Sequence, residues 1–327
     1  MRETSLSWQK ILAQGFTSAS ELLHFLELTP VPGINHSEHQ FPSRIPLGFA
    51  KRMQKGNSSD PLLLQVLAQE IETVTNNEYA QDPLVELKVN PLKGLIHKYH
   101  GRVLLTLTGI CAVNCRYCFR RHFPYQANNP GRQGWKEICN YIAADSTITE
   151  VILSGGDPLL AADRVLAELI GHLEQIPHVH TLRIHTRVPI VLPERIDEGL
   201  VKVLSSAQLK KVIVLHCNHA QELDSSVLRA CQDLQMAGCH LLNQSVLLKG
   251  INDNAQILAQ LSQALFAYGV IPYYLHVLDK VQGAAHFDIS TQDALDIYHR
   301  LQELLPGYLL PKLAREEPGK RSKTLII

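Results

Sequence analysis

The sequence lacks an excess of either charge, because 31 lysines and arginines balance 31 aspartates and glutamates among its 327 residues. Proteins that cover a long stretch of nucleic acid usually carry a basic excess, so we expect no nucleic-acid partner. The sequence has no apolar run near the roughly 20 residues that cross a membrane, and we expect no membrane partner. Its first residues, MRETSLSWQK, lack the basic start and apolar core of a signal peptide, which predicts a cytoplasmic protein.

Cysteine is scarce and unevenly placed. The chain has 7 cysteines, and an odd number without regular spacing does not indicate a secreted disulfide framework. Three of them lie within the segment CAVNCRYCFR, as Cys111, Cys115 and Cys118. We expect the other four to be small buried hydrophobic residues without a role in a site; they are Cys139, Cys217, Cys231 and Cys239.

Apolar, β-branched segments recur from about residue 103 and alternate with segments of helical period. The six predicted strands are Val103–Ile110, Glu150–Leu153, Thr181–His185, Lys211–His216, His240–Leu248 and Ile271–Leu278. The predicted helices are Arg164–Ile176, Glu194–Ser206, Ser225–Ala237, Asn254–Tyr268 and Thr291–Leu305. Repeated strand–helix units imply right-handed crossovers between parallel strands. The pattern predicts an α/β fold with a partial (β/α)6 barrel rather than a complete eight-stranded one, and an open parallel sheet is the alternative.

The same pattern divides the chain into three predicted regions. Residues 1–95 form a helical accessory region, with short helices predicted at Leu6–Leu12, Ala19–Leu28 and Leu62–Ile71. Residues 96–305 contain the barrel. Residues 306–327 form a short basic tail, for which we predict no partner strand.

The cysteine-rich segment predicts an iron–sulfur site. Three thiolates can hold three irons of a [4Fe–4S] cluster and leave one iron open, whereas an ordinary cluster or a structural zinc ion takes four ligands. S-adenosylmethionine can fill the open position through its amino and carboxylate groups, which is the arrangement of radical S-adenosylmethionine (radical SAM) enzymes. The alternatives are a zinc site completed by His122 or by a distant ligand, and thiols without a metal.

Other polar and glycine residues follow the predicted strands at their carboxyl ends, where chemistry gathers in barrels of this type. They include Gly155 and Gly156 in the segment SGGDPL, and also His216, Gln244 and Asp279. A glycine pair lets the backbone approach a ligand closely, although on its own it indicates only a tight turn. A histidine at a strand end is equally often a structural residue, so these positions alone leave the ligand open.

Five longer segments resemble the lysine 2,3-aminomutase family: CAVNCRYCFRRHFPY, SGGDPLL, LRIHTRVPIVLPERI, NQSVLLKGIND and PYYLHVLDKVQGAAHF. The resemblance extends from about residue 44 to residue 327. It is greatest to the proteobacterial branch that makes β-lysine for modification of translation elongation factor P. It implies an isomerase that converts L-α-lysine to β-lysine by a 1,2 shift of the amino group. It also implies a functional link to elongation factor P and its lysyl ligase, and an electron donor of the flavodoxin or ferredoxin type.

The resemblance further implies three cofactors, a [4Fe–4S] cluster, S-adenosylmethionine (SAM) and pyridoxal 5′-phosphate (PLP). The cluster ligands would be Cys111, Cys115 and Cys118. The SAM site would be lined by Gly155, Gly156, Asp157, His216 and Gln244. PLP would be joined to Lys323 rather than Lys320, and its phosphate would be bound by Lys98, Tyr99 and Arg102. The substrate carboxylate would pair with Arg120, and the distal ammonium of lysine with Asp279 and Glu316.

The chain departs from the longer free-lysine enzymes of this family at several positions. Asn254 stands where they have a zinc-binding cysteine, so we predict no zinc. His276 replaces an aromatic residue near the pyridoxal ring, and Glu316 replaces a more usual aspartate, which predicts a looser substrate fit. Two other functions compete with this one. They are a radical SAM enzyme that acts on RNA or a peptide, and a non-catalytic scaffold that docks elongation factor P or its ligase.

Overall fold

The computed structural model describes residues 6–29, 38 and 41–326. Within these residues, nine strands form one sheet in chain order. They are β1 (Leu95–Tyr99), β2 (Arg102–Thr108), β3 (Glu150–Gly155), β4 (Thr181–Thr186), β5 (Lys210–His216), β6 (Cys239–Val246), β7 (Ile271–His276), β8 (Lys312–Arg315) and β9 (Thr324–Leu325). Strands β2 to β8 run parallel to their neighbours. The two outer strands, β1 and β9, are antiparallel to theirs.

The six strands predicted from the sequence correspond to β2 to β7, and the predicted α/β fold with a parallel sheet is confirmed. Four consecutive residues of β3 are buried, from Val151 to Ser154. Such runs are typical of parallel strands that have helices on their outer face and a filled interior on the other.

The described α-helices are α1 (Trp8–Ala13), α2 (Ala19–Phe25), α3 (Leu47–Ala50), α4 (Pro61–Leu64), α5 (Gly131–Ala144), α6 (Asp163–Glu174), α7 (Val188–Val191), α8 (Glu198–Ser206), α9 (Ser225–Met236), α10 (Ala255–Ala267) and α11 (Thr291–Leu304). Short 3₁₀ helices lie at Glu70–Thr73, Glu86–Val89, Pro158–Leu160, Pro193–Arg195, Ala220–Glu222, Ala285–Phe287 and Gly307–Leu309. The five predicted barrel helices correspond to α6, α8, α9, α10 and α11. None of the helices in the described ranges is long and apolar enough to cross a membrane.

The prediction lacks two barrel helices, the four-residue α7 and the longer α5. The sequence of α5 explains why it is difficult to recognise. Its buried residues Trp135, Ile138 and Ile142 follow a helical spacing. However, Gly131 and Gly134 lie in its first turn, and glycine disfavours helix by about 1 kcal/mol per residue relative to alanine. The local sequence therefore gave a weak helical signal, and packing of the apolar face decides the structure.

The N-terminal region packs onto the barrel. Leu22, Phe49 and Leu62 are buried in the same hydrophobic core as the barrel residues Val151 and Leu215. Two of the three predicted helices in this region correspond to α1 and α2, whereas the third is helical only over α4 and again at the 3₁₀ helix Glu70–Thr73. The region is therefore a mixture of short helices and irregular segments that follow the barrel surface.

The prediction that residues 306–327 have no partner strand is wrong. β8 pairs in parallel with β7, with Lys312 opposite Tyr274, and β9 returns antiparallel along β8. The two strands have only four and two residues, which is too short for a periodic apolar pattern to be recognised. As a consequence, Lys323 directly precedes a strand of the sheet and is held in place by it.

The sheet curves so strongly that side chains from the first and the last strands come into contact. Lys98 on β1 places its Nζ 2.9 Å from a carboxylate oxygen of Glu316, which follows β8. The two strands are not hydrogen-bonded neighbours, so the barrel is open between them and side chains bridge the gap.

The N-terminal region also holds the cysteine loop between β2 and α5. The Glu72 carboxylate accepts hydrogen bonds from Nε and Nη2 of Arg116 and from Nη2 of Arg121, at distances of 2.6–3.1 Å. All three side chains are almost fully buried. A buried carboxylate shared by two guanidinium groups therefore ties the loop to the segment before β1.

Replacing Glu72 with alanine should lower the free energy of unfolding by about 3–5 kcal/mol, because two buried guanidinium groups would lose their carboxylate. The matched control is Glu27→Ala, which removes the exposed ion pair between Glu27 and Lys55 and should cause no measurable change. Urea denaturation of the protein without added cofactors measures both. A Glu72→Ala variant with wild-type stability would show that this carboxylate does not hold the loop.

Candidate active site

A cavity of about 590 Å³ lies inside the curved sheet, toward the carboxyl ends of the parallel strands. All residues to which the sequence resemblance gives a role line this cavity: Lys98, Tyr99, Arg102, Cys111, Cys115, Cys118, Arg120, Gly155, Gly156, Asp157, His216, Gln244, Asp279, Glu316 and Lys323. The fold therefore brings these residues together, although they are separated by up to 225 positions in the sequence. Their individual roles stay predictions.

The three cysteines lie on the loop that follows β2. Burial raises the pKa of the Cys118 thiol to about 11, and the neighbouring Cys115 adds to this shift. Burial, together with Cys118 and Asp157, also raises the pKa of Cys111. Thiolates at this place therefore need an added positive charge, which iron ions supply when they bind.

In the described part of the chain, no three His, Cys, Asp or Glu side chains converge closely enough to hold a single metal ion. The ligands of a [4Fe–4S] cluster do not need to converge on one point, because each binds a different iron. His122, the alternative fourth ligand of a zinc ion, has its Nε2 3.2 Å from the carbonyl oxygen of Gln282. The donor set thus fits a cluster better than it fits zinc.

The glycine pair at the end of β3 packs against the backbone that leads to the cysteine loop. Gly155 has a φ angle of +112°, which residues with a side chain rarely adopt. A Cβ atom on Gly156 would lie 2.4 Å from the carbonyl oxygen of Ile110. Neither position admits a side chain, so this part of the cavity wall consists of backbone groups, which fits the amino and carboxylate groups of SAM.

Asp157 uses both carboxylate oxygens within the protein. Its Oδ1 accepts hydrogen bonds from Leu159 N and Thr186 Oγ1, and its Oδ2 from the backbone nitrogens of Arg187 and Val188. Burial raises the pKa of Asp157 to about 6, against the effect of these hydrogen bonds. Asp157 therefore ties the end of β3 to the end of β4, and a direct contact with SAM stays a prediction.

His216 and Gln244 lie opposite each other in the pairing of β5 with β6. The Nε2 atom of His216 is 2.8 Å from the hydroxyl oxygen of Tyr117, on the cysteine loop. Burial, followed by the charge of Arg187, lowers the pKa of His216 well below its usual range. The imidazole is therefore neutral, and it connects the middle of the sheet to the cysteine loop.

A chain of alternating charges crosses the cavity. Arg120 donates from Nε and Nη2 to the two carboxylate oxygens of Glu86 at 2.7 and 2.8 Å. Lys98 lies between the two acids, with its Nζ 3.1 Å from Glu86 and 2.9 Å from Glu316. Lys323 completes the chain, since its Nζ donates to the second oxygen of Glu316 at 2.6 Å.

Glu86 was not predicted to belong to the site. It begins a 3₁₀ helix directly after Val85, which has a φ angle of +52°. A β-branched residue with positive φ is uncommon and costs about 1–3 kcal/mol. The surrounding contacts enforce this conformation, which directs Glu86 into the cavity. No strand end or motif marks the position in the sequence.

The two acids assigned to the distal ammonium differ in their electrostatic surroundings. Burial opposes ionisation of Glu316, but Lys323 and Lys98 outweigh it and lower its pKa well below the usual range. Burial and the charge of Glu316 raise the pKa of Asp279 to about 7. Of these two acids, Glu316 is therefore firmly ionised, and Asp279 gains or loses a proton near neutral pH.

Aromatic side chains surround the lysine that the resemblance assigns to PLP. The Nζ atom of Lys323 lies 5.7 Å from the ring centroid of Tyr274, and His276 is tilted against the same ring with centroids 5.2 Å apart. Burial and then Lys323 lower the pKa of His276 to about 3, so its ring is neutral. The Arg102 guanidinium, which also lines the cavity, lies 4.7 Å from the ring centroid of Tyr99. Neutral rings and cations of this kind would suit a planar aldehyde cofactor that carries a phosphate.

Comparison with known proteins gives a consistent result. Residues 105–261 match the radical SAM superfamily. L-lysine 2,3-aminomutase of Haemophilus influenzae is 49% identical over 322 residues, which cover 98% of this chain and 95% of that protein. L-lysine 2,3-aminomutase of Escherichia coli is 49% identical over 320 residues, which cover 97% of this chain and 93% of that protein. A solved structure, native anSMEcpe with bound AdoMet and Kp18Cys peptide, has a TM-score of 0.46 at 14% identity, covering 61% of this chain and 58% of that one, which is too distant to argue from.

The two L-lysine 2,3-aminomutases are similar to this chain over almost its whole length. The similarity therefore includes the N-terminal region, the cysteine loop and the last strands of the sheet. The cofactors of this family are a [4Fe–4S] cluster, SAM and PLP. In this cavity the cysteines, the glycine pair and Lys323 fit these groups. The chain belongs to the L-lysine 2,3-aminomutase family of the radical SAM superfamily.

Proposed function

We propose that this protein converts L-lysine to β-lysine by moving the α-amino group to the neighbouring carbon. The observation that carries the proposal is the chain of alternating charges, which extends from Arg120 on the cysteine loop to Lys323 beside β9. In this row of charges Arg120 could pair with the carboxylate of an amino acid, and Glu316 could pair with an ammonium group at its other end. When bound, the cluster and SAM supply radical chemistry, and PLP carries the amino group that moves.

Arg120 is suited to bind the substrate carboxylate. Its Nε and Nη2 atoms are held by Glu86, and its Nη1 donates to Ser154 Oγ at 2.9 Å. These contacts fix the plane of the guanidinium, and two of its five N–H groups remain for a further acceptor. Glu86 thus serves as the residue that orients Arg120, and a guanidinium held in this way binds a carboxylate with little loss of entropy.

Asp279 and Glu316 are suited to bind the distal ammonium. Glu316 pairs with Lys98 and Lys323. Lys98 would bind the phosphate of PLP, and Lys323 would be joined to the cofactor. Glu316 would then exchange its two lysine partners for the ammonium of the substrate.

The β-lysine product also has a proposed use in the cell. Because the sequence resembles the branch that supplies β-lysine for elongation factor P, we propose that this protein serves the same modification through the lysyl ligase. Seven cysteines without a disulfide bond among them suit a reducing compartment, which supports a location in the cytoplasm. An electron donor of the flavodoxin or ferredoxin type would reduce the cluster there.

The first test of this function concerns PLP. Borohydride reduction of the PLP-loaded protein should leave a pyridoxyl group on Lys323, and Lys323→Ala should lose this adduct. Lys320→Ala is the matched control and should keep it, because Lys320 is exposed to solvent and does not line the cavity. Peptide mass mapping measures both. An adduct on Lys320 would contradict the assignment, and a protein without any pyridoxal absorbance would favour a radical enzyme that acts on RNA or a peptide.

The second test concerns the substrate. Asp279→Asn should reduce lysine turnover by about 100-fold or more, because the ammonium would be buried with only one of its two carboxylates and such a loss is worth about 3–5 kcal/mol. Iron content and the pyridoxyl adduct should stay at wild-type levels. L-glutamate should not react, since its distal carboxylate would face Asp279 and Glu316. Turnover of glutamate at a rate near that of lysine would refute the proposal.

The same residue predicts a pH dependence. With a pKa of about 7, Asp279 loses its negative charge as the pH falls through 7, so kcat/KM for lysine should fall in that direction. A pH profile measured with anaerobic enzyme tests this. Asp279→Asn has no charge to lose at this position, and its residual activity should lack the inflection. An inflection of the same size in both proteins would show that another group causes it.

A further inference from the structure

Arg187 lies at the end of β4, directly before α7, and its side chain reaches the cysteine loop. Its Nη1 is 2.7 Å from the Sγ atom of Cys115 and 2.8 Å from the hydroxyl oxygen of Tyr117. Its Nη2 donates to Gln65 Oε1 at 2.5 Å and to Glu222 Oε2 at 2.9 Å. Arg187 is only 6% exposed, so one buried guanidinium connects a cysteine of the cluster site to a buried acid.

The guanidinium has little freedom to turn away from the sulfur atom. Glu222 is fully buried, and its other oxygen accepts hydrogen bonds from the backbone nitrogens of Asn218 and His219. The backbone nitrogen of Arg187 is itself held by Asp157. Both ends of the arginine are therefore fixed, and Nη1 is presented to Cys115.

We propose that Arg187 is a positioning residue that donates a hydrogen bond to the Cys115 sulfur when it binds iron, and thereby raises the reduction potential of the cluster. The proposal rests on the assignment of Cys115 as a cluster ligand and does not depend on lysine as the substrate. Hydrogen bonds to the sulfur ligands and nearby charge are among the factors that set such potentials. An added electron makes the cluster more negative, so a donor that faces a ligand sulfur stabilises the reduced state.

Glu222 moderates this effect but does not cancel it. The acid contacts Nη2, whereas the sulfur contacts Nη1. The ion pair therefore presents its positive end to Cys115 and its negative end to the far side. In a buried site of low dielectric constant, such an oriented pair acts more strongly on a nearby charge than it would in water.

The test is a redox titration of the anaerobically reconstituted protein, followed by electron paramagnetic resonance without substrate or SAM. Arg187→Gln should take up an electron about tenfold less favourably than the wild type, a shift of about 59 mV to more negative potential for a one-electron couple. Arg187→Lys keeps a cationic donor and should recover at least part of this shift. Equal midpoints in Arg187→Gln and the wild type would overturn the proposal.

Arg195→Gln is the matched control. Arg195 is also fully buried, and it donates to the carbonyl oxygens of Leu159 and Ala161 and to Asp163, away from the cysteine loop. The control should lose stability as Arg187→Gln does but keep the wild-type midpoint. A shift of equal size in Arg195→Gln would show a general effect of misfolding and would also overturn the proposal.

A second measurement applies if Arg187→Gln takes up no iron. Pulsed electron paramagnetic resonance of the reduced protein, labelled with ¹⁵N-arginine, should detect a ¹⁵N coupling to the cluster in the wild type that is weaker in Arg187→Lys, because this variant keeps the labelled Arg116, Arg120 and Arg121 of the cysteine loop but lacks the guanidinium at position 187. The same coupling in both proteins would overturn the proposal. A wild-type chain that binds no [4Fe–4S] cluster would overturn instead the assignment of Cys115 on which the proposal rests.

Discussion

Two glutamates, the buried Glu86 and the half-buried Glu316, hold three cations around the cavity, and the arrangement of the surrounding segments depends on them. Each charge in this chain is paired with a charge of opposite sign, and a buried charge that loses its partner is strongly destabilising. The partners come from the segment before β1, from β1 itself, from the cysteine loop and from the residues around β8 and β9. These segments are distant in sequence, so the charge chain makes their relative positions mutually dependent.

The cysteine loop is held in a similar way from two sides. Glu72 holds Arg116 and Arg121 from the N-terminal region, and Arg187 reaches Cys115 from β4. The N-terminal region is therefore part of the wall that supports the cysteine loop, and not an appendage to the barrel. Asp157 belongs to the same support, because it joins the strand that ends at the glycine pair to the strand that carries Arg187.

Sequence patterns predicted the strands β2 to β7 and placed Gly155, His216 and Asp279 at the carboxyl ends of these strands, because buried parallel strands leave long apolar runs and end on one face. The residues that the family resemblance added line the same cavity. Sequence patterns did not predict β1, β8 or β9, since strands of five, four and two residues carry too little periodicity. They also missed Glu86, which follows an irregular segment and gains its role only from side chains that the fold brings to it. Arg187 was visible in the sequence only within the segment LRIHTRVPIVLPERI, and its contact with Cys115 depends on tertiary packing.

The short outer strands have a consequence for how the protein behaves among other chains. A barrel that stays open presents two sheet edges, and long flat edges invite pairing with strands of other molecules. Here one edge is β9, with two residues, and the other is β1, whose pairing shifts in register between Ile96 and Tyr99. Neither edge offers a long regular row of backbone donors and acceptors. The protein can therefore keep an entrance for its ligands without providing a template for aggregation.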